Sequence, residues 1–556
     1  MPLIRRTLTA FLYLGLLAMS AHADDTDSPA AAARFLTQAT FGPTHADIAH
    51  LQSLPSFDAW LQEQFAETPS LQEPYVRARC PELAGADACD YDSWVPSRHD
   101  AWWNNIISGK DQLRQRVAFA LSQLVVVSGR APALNDSQFS LASYYDMLAK
   151  GAFGNYRDLL SEVTRHPAMG IYLSMIRNQK ADPDRNIRPD ENFAREVLQL
   201  FSIGVHRLNP DGTLQLDEAG LPITTYSEDT IREFARTFTG WNYANLDWYE
   251  HTWRAEKTLP MVAVEDYHDT DEKVLLDRQV VPAGLDAAAD LDAALDIIFQ
   301  HPNVGPFLSK LLIQRLVTSN PTPGYVQRVS AVFDDNGSRV RGDLKAVVRA
   351  ILLDTEARNG HVTLPGHFGK LREPLLKISH LMRAFQAAKM DGGEWGDYPG
   401  TWVYRIAGNQ YRMDQEVGQG VLRSPSVFNF FQPDYAPAGP VRSAGLVSPE
   451  FQILTDNNLA SGANIINAQI HWATPDGDWA SPLDFSYEAD LAVDTDALLD
   501  HLDILLMNGQ MRPDLRDIID IHLAYTWYPE GPDGLLQRAR DAVSLVMMSP
   551  AYQVQR

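Results

Sequence analysis

Apolar positions along this chain recur mostly three and four residues apart, the spacing of helices that bury one face. That pattern predicts helices over 30–40, 45–52, 57–65, 111–127, 138–150, 156–165, 189–203, 227–239 and 291–299, then over 304–317, 324–333, 341–353, 371–389, 449–470, 496–507, 513–523 and 535–548. Gly151, Gly240 and Gly337 stand where such runs stop. Period-two alternation is scarce. Residues 213–216 and 221–226 flank Asp217–Gly220 as a small hairpin, and 273–276 reads as a short extended piece. The glycine- and proline-rich stretches 392–400 and 432–440 read as long ordered loops, which in helical proteins often carry binding function. With no fixed-period repeat and no low-complexity linker, residues 24–556 are expected to form one large, mainly α body. Its N- and C-terminal halves pack together, with long loops and at most a small β-hairpin.

The densest segment is Arg188 to Gly204, RPDENFAREVLQLFSIG. Pro189 suits a first helical turn, Asp190 and Glu191 suit the positive end of a helix dipole, and Gly204 ends the run. At 100° per residue Phe193, Ala194, Val197, Leu198, Leu200 and Phe201 fill one arc, while Glu191, Asn192, Arg195, Glu196, Gln199 and Ser202 fill the other. The polar arc is either an ordinary solvated face or the wall of a cleft. Glu191 and Glu196 lie about 140° apart on the wheel and form no close pair, whereas Glu191 reaches Arg195 at i, i+4. A cleft would make Glu196, with Asn192 on the same stripe, the candidate acid or base.

The N-terminus determines the expected compartment. Arg5 and Arg6, the apolar run Leu8 to Leu17 and the Ala21-His22-Ala23 pattern make residues 1–23 a signal peptide cleaved near Ala23, so the protein is expected in the periplasm or secreted. The twin arginines also suit the export route of prefolded proteins, although Thr7-Leu8-Thr9 matches that signal poorly. The formal net charge of −24 repels nucleic acid and anionic membranes, and no later segment is apolar enough to span a bilayer. In an oxidising compartment the only cysteines, Cys80 and Cys89, are expected to form a local disulfide.

Absent motifs narrow the chemistry. There is no GxxxxGK[ST], no strand-linked GxGxxG, no HExxH and no GxSxG, which removes nucleotide, dinucleotide, zincin and α/β-hydrolase readings. What remains surrounds the 189–203 segment. A second amphipathic run, Tyr226 to Trp241, carries Ile231, Phe234, Ala235 and Phe238 on one face and Arg232, Glu233 and Arg236 on the other. Trp241 at its end is either a sugar-stacking platform, with Tyr226 nearby, or core packing. His268 beside Asp269 is either a base or metal ligand or a structural hydrogen-bonding group. No cofactor is called for, but Asp182, Asp184, Asn186 and Asp190 resemble the opening of a calcium loop. That loop lacks its turn glycine, and Phe193 stands where the closing glutamate belongs.

Several segments together resemble the bacterial family catalogued as domain of unknown function 1800. They are Ala33 to Thr44, Leu113 to Ser128, His166 to Met175, Arg188 to Gly204, the FTGW ending at Trp241, His268-Asp269, and Gly418 to Tyr435. The resemblance implies an exported, mainly α protein and names no reaction. Many relatives look like F-W-H-N-H-F where this chain has Phe119 to Leu124, so Leu121 and Gln123 replace two histidines and weaken any metal site built on that pair. Family members tend to be encoded beside proteins of the domain of unknown function 1501 family, which suggests a partner.

Two functional expectations follow. The first is an extracytoplasmic enzyme acting on a polymer, a glycan above all, through carboxylate acid/base chemistry, with twelve Trp and twenty Tyr available for stacking. The second is a non-catalytic binding or assembly protein for that exported partner. A metal-dependent redox reading requires His268 and Asp269 to converge with the helix carboxylates.

Overall fold

Short polar side chains stand where the apolar pattern begins, and they satisfy the free N–H groups of the first helical turn. Ser28 accepts from Ala31 N ahead of the Pro29–Ala39 helix, Thr44 and Asp47 close a capping box ahead of His45–Ser53, and Asn155 and Ser227 cap Tyr156–Arg165 and Glu228–Thr237. A computed structural model describes residues 26, 28–84, 95–135, 137–252, 255–390, 403–408, 410–474, 477 and 479–556. The signal peptide, the Cys80 to Cys89 pairing and the 392–400 loop lie outside these residues.

The body is mainly α, as expected, and among the described residues the named sheets are three antiparallel pairs of two-residue strands. One pair is Lys273–Val274 with Val280–Val281, where the sequence suggested an extended piece. Another, Lys370–Leu371 with Val554–Gln555, ties the middle of the chain to its end. One continuous apolar cluster includes Ala32, Phe119, Leu198, Leu312, Leu381 and Tyr552. Ser379 Oγ donates to Phe41 O at 2.9 Å and Thr37 Oγ1 to Asn508 Oδ1 at 3.0 Å, so the two ends of the chain share that core.

Several expected helices shrink for local reasons. The 371–389 run becomes Pro374–Ala384, because a residue before proline is driven from helical to extended backbone, and Glu373 sits at ψ 143°. The 449–470 run breaks into a 3-10 turn, Pro449–Ile453, and a helix, Asp456–His471, that Thr455 caps afresh. The 189–203 run narrows to Asn192–Gln199: Pro189 and Asp190 remain outside, and Asp190 Oδ1 accepts from Asn192 N at 2.8 Å as a local turn. Beyond Gln199 the bonds widen, with Gly204 N donating to Leu198 O across a glycine at φ 70°. Glu73–Ala84, Val95–Ser108, Thr355–Thr363 and Ser486–Leu491 are helices that the apolar spacing did not predict.

The expected hairpin at 213–226 gains a third member. Gln215 N donates to Arg207 O, Ile223 N to Gln215 O and Arg207 N to Ile223 O, at 2.7–3.0 Å, so three eight-residue-spaced segments close into a triangle. Gly212 and Gly220, at φ 76° and 78°, turn its corners. Asn303 fixes the triangle to the body, donating to Ile203 O and His206 O and accepting from Leu208 N.

Buried His166 caps the Pro167–Tyr172 helix by accepting from Ala168 N at 3.1 Å. Burial lowers its pKa to about 3. The folded protein resists the proton that the unfolded chain accepts near 6.5, so stability present above that pH is withdrawn as pH falls toward 3. Each unit costs about 1.4 kcal/mol. Urea midpoints at pH 7, 5.5 and 4 are expected to fall less in His166→Asn than in wild type, and parallel slopes in the two proteins would contradict this assignment.

Candidate functional site

The polar arc of the Asn192–Gln199 helix divides in the fold. Arg195 is held by Glu191 at 3.2 Å, as the i, i+4 spacing suggested, and by both oxygens of Glu228 at 3.0 Å. Asn192 is exposed. Glu196 instead turns inward and is 6% exposed, and its Oε2 has no hydrogen-bond partner among the described residues. Burial raises its pKa, against the pull of Arg195. Tyr172 and Tyr226 lie close enough to feel its charge, and burial pushes both phenols up to about 12. The Tyr226 hydroxyl is itself buried and unpaired among the described residues. Glu196 is therefore a buried carboxyl that holds its proton to higher pH than a free glutamate and whose charge acts on both tyrosines.

The second cluster is sealed. His268 Nδ1 meets Thr239 O at 3.0 Å, and its Nε2 meets Asp290 Oδ2 at 3.0 Å. Lys273 Nζ pairs with the same Asp290 oxygen, and all three side chains are at most 1% exposed. Asp269 grips Arg236 through two bonds of 2.9 and 3.0 Å, and Glu233 holds the same guanidinium at 2.8 Å. His268 and Asp269 thus engage Asp290 and Arg236, and not Glu191 or Glu196 as the redox reading requires. Trp241 is buried in a strand pair with Ala263, which removes it as an exposed stacking platform.

The calcium-like residues serve local turns. Asp182 accepts from Arg185 N ahead of Pro183–Arg185, Asn186 follows at φ 53°, and Asp184 is exposed. Among the described residues, no three His, Cys, Asp or Glu side chains gather as a metal site.

A cavity of about 460 Å³ opens beside the C-terminal end of the Asn192–Gln199 helix. Gln199, Leu200 and Ile203 form one wall, Val205, His206, Leu208 and Leu214 of the triangle a second, and Phe307 and Leu311 of the Val304–Leu316 helix a third. Val427 and Phe428 close the fourth side. Polar groups line it among these apolar walls: Gln123, Gln314, Arg315 and Asn429, with Lys310 and Asp434 also present. Asn429 has left-handed backbone at φ 65° and donates to Gln123 Oε1 at 3.2 Å. Gln123 in turn donates to Glu373 Oε2 at 2.8 Å.

Behind that polar lining sits a buried ion cluster. Lys370 Nζ lies 3.0 Å from Glu373 and 3.2 Å from Glu450, and it donates to Arg315 O at 2.9 Å. Arg116 Nη2 donates to the same carbonyl at 2.6 Å, and Gln419 Nε2 donates to Glu373 at 2.6 Å. Arg315 and Glu373 were not candidates from sequence. The available signal was the charges in otherwise apolar runs, Arg315 in KLLIQRL and Lys370-Leu-Arg372-Glu373 before a helix, but a linear pattern does not show that these segments meet.

A family model described as a protein of unknown function (DUF1800) matches residues 34–554. No curated protein and no solved structure matches the chain.

Proposed function

The chain belongs to the DUF1800 family, and from that premise we propose that it is an exported protein that seats an organic substrate or ligand in the cavity beside Gln199. One observation supports this reading: three separate segments that carry the family resemblance, 113–128, 188–204 and 418–435, each contribute lining residues to this one cavity. Its apolar walls with a few convergent polar groups have the character of ligand sites. Of the lining residues only Asp434 is a carboxylate, so a two-carboxylate glycosidase arrangement is not built into the cavity itself. Glu196 is on the same helix as Gln199, one turn away, and the carboxylate acid/base reading on a glycan rests on its raised pKa.

The two readings separate on the purified mature chain, screened by thermal shift against oligosaccharides and small amphiphiles. Leu214→Trp fills the rim from a residue already 46% exposed and is expected to abolish binding. Glu196→Gln keeps the size of the side chain and is expected to fold and to leave binding intact. Loss of glycan turnover in Glu196→Gln alone would transfer the function to Glu196, and binding that survives Leu214→Trp would refute the cavity.

A partner reading has its own support. Ile518, Ile521 and Tyr525 form an exposed apolar stripe on the Pro513–Tyr525 helix, continued by Trp527, with the last two 87% and 83% exposed. Stripes of this kind mark contact surfaces. The expected occupant is an exported protein of the domain of unknown function 1501 family. Co-purification of the pair that Trp527→Ser abolishes is the expected result.

A further inference from the structure

We infer that the cavity takes a monoanionic amphiphile, a molecule with a carboxylate head and an apolar body, whose head pairs with Arg315. The inference rests on the cavity being the ligand site. Arg315 is 2% exposed and lines the cavity, yet its Nε and Nη1 donate to no acceptor among the described residues. Its guanidinium lies 4.6 Å from the Phe431 ring centroid, which orients the group against a flat apolar face.

The charge balance behind it is incomplete. Among the described residues the carboxylates that act on Arg116, Arg315 and Lys370 are Glu373 and Glu450, so the three cations outnumber them by one in this buried cluster. Arg116 repeats the pattern, with unpaired Nε and Nη1. Buried guanidinium donors are costly to leave unmade, and a carboxylate matches their paired geometry and supplies the single missing charge. Beyond the head, Leu200, Ile203, Phe307, Leu311, Val427 and Phe428 offer an apolar path for a carbon body.

The test compares decanoate with decan-1-ol by isothermal titration calorimetry on the full mature chain at pH 7.5, in wild type, Leu214→Trp and Arg315→Gln. In wild type decanoate is expected to bind at least about tenfold more tightly than decan-1-ol, the scale of one charged hydrogen bond. Leu214→Trp is expected to lose both ligands, and Arg315→Gln to bring the two within about twofold of each other. Equal affinities in wild type would overturn the anionic head and leave the cavity standing. Decanoate binding indifferent to Leu214→Trp would overturn cavity and head together. No binding of either probe would overturn the amphiphile, while the wider ligand screen still tests the cavity. Because the head-group comparison is made in wild type, it stands even if Arg315→Gln fails to fold.

Discussion

Glu373→Gln is expected to destabilise the protein by about 3–5 kcal/mol, the usual cost of breaking a buried ion pair from one side. The substitution keeps shape and removes the charge on which Lys370, Arg116 and Arg315 converge. Among the described residues Glu450, 3.2 Å from Lys370, would be the carboxylate left in the cluster, and burial raises its pKa. Burial alone would raise the Glu373 pKa, but Lys370, Arg116, Arg315 and the Gln419 amide together draw it down to about 2. The sign follows directly: a depressed carboxyl stabilises the fold above its unfolded value of 4.5, and that contribution is withdrawn as pH falls toward 2. Urea midpoints of Glu373→Gln and wild type are expected to lie far apart at pH 7 and to approach each other near pH 2.5. Exposed Glu218→Gln serves as a control near zero. A Glu373→Gln midpoint equal to wild type at pH 7 would mean that the cluster is not electrostatically coupled.

Gly42→Ala is expected to cost about 3 kcal/mol or more, from two sources that add. Gly42 sits at φ 115°, where a side chain is strained by about 1–2 kcal/mol. A Cβ there would lie 2.6 Å from His380 Cα and 2.7 Å from His380 Cβ, well inside contact distance. His380 cannot yield: it is fully buried and held by Tyr552 Oη at 3.1 Å and Leu505 O at 3.2 Å. Overpacking of this kind adds about 1–3 kcal/mol. Gly337→Ala separates the two sources, because Gly337 shares a left-handed φ of 90° and a methyl added there would meet nothing within 4 Å. Differential scanning calorimetry is expected to show a small loss for Gly337→Ala and a large one for Gly42→Ala. Equal losses would assign the whole effect to backbone strain.

The site is only partly legible in the sequence. The Glu191 to Arg195 pair follows from i, i+4 spacing alone, and it forms. Glu196 is visible as a candidate, but the wheel places it on a polar face, and only the fold shows that it is buried and that burial raises its pKa. His268 and Asp269 read as a reactive pair because they are adjacent in sequence. In the fold they point to different partners, Asp290 and Arg236, respectively 22 and 33 positions away. Gln123 links Asn429 to Glu373, residues 306 and 250 positions away, which no linear pattern shows.

Helical content, many helix starts and the Gly204 stop were determined by the sequence itself, because periodicity, capping and left-handed glycine are local properties of neighbouring residues. Where Pro374 interrupts an apolar run, the local rule also holds once the proline is weighed ahead of the periodicity. The cavity, the Arg315 donors without an acceptor among the described residues, and the sealed His268, Asp290 and Lys273 cluster were decided only by the tertiary structure. Burial and charge pairing depend on which distant segments meet, and a side chain's hydration, and hence its chemistry, is set by that meeting and not by its neighbours in the chain.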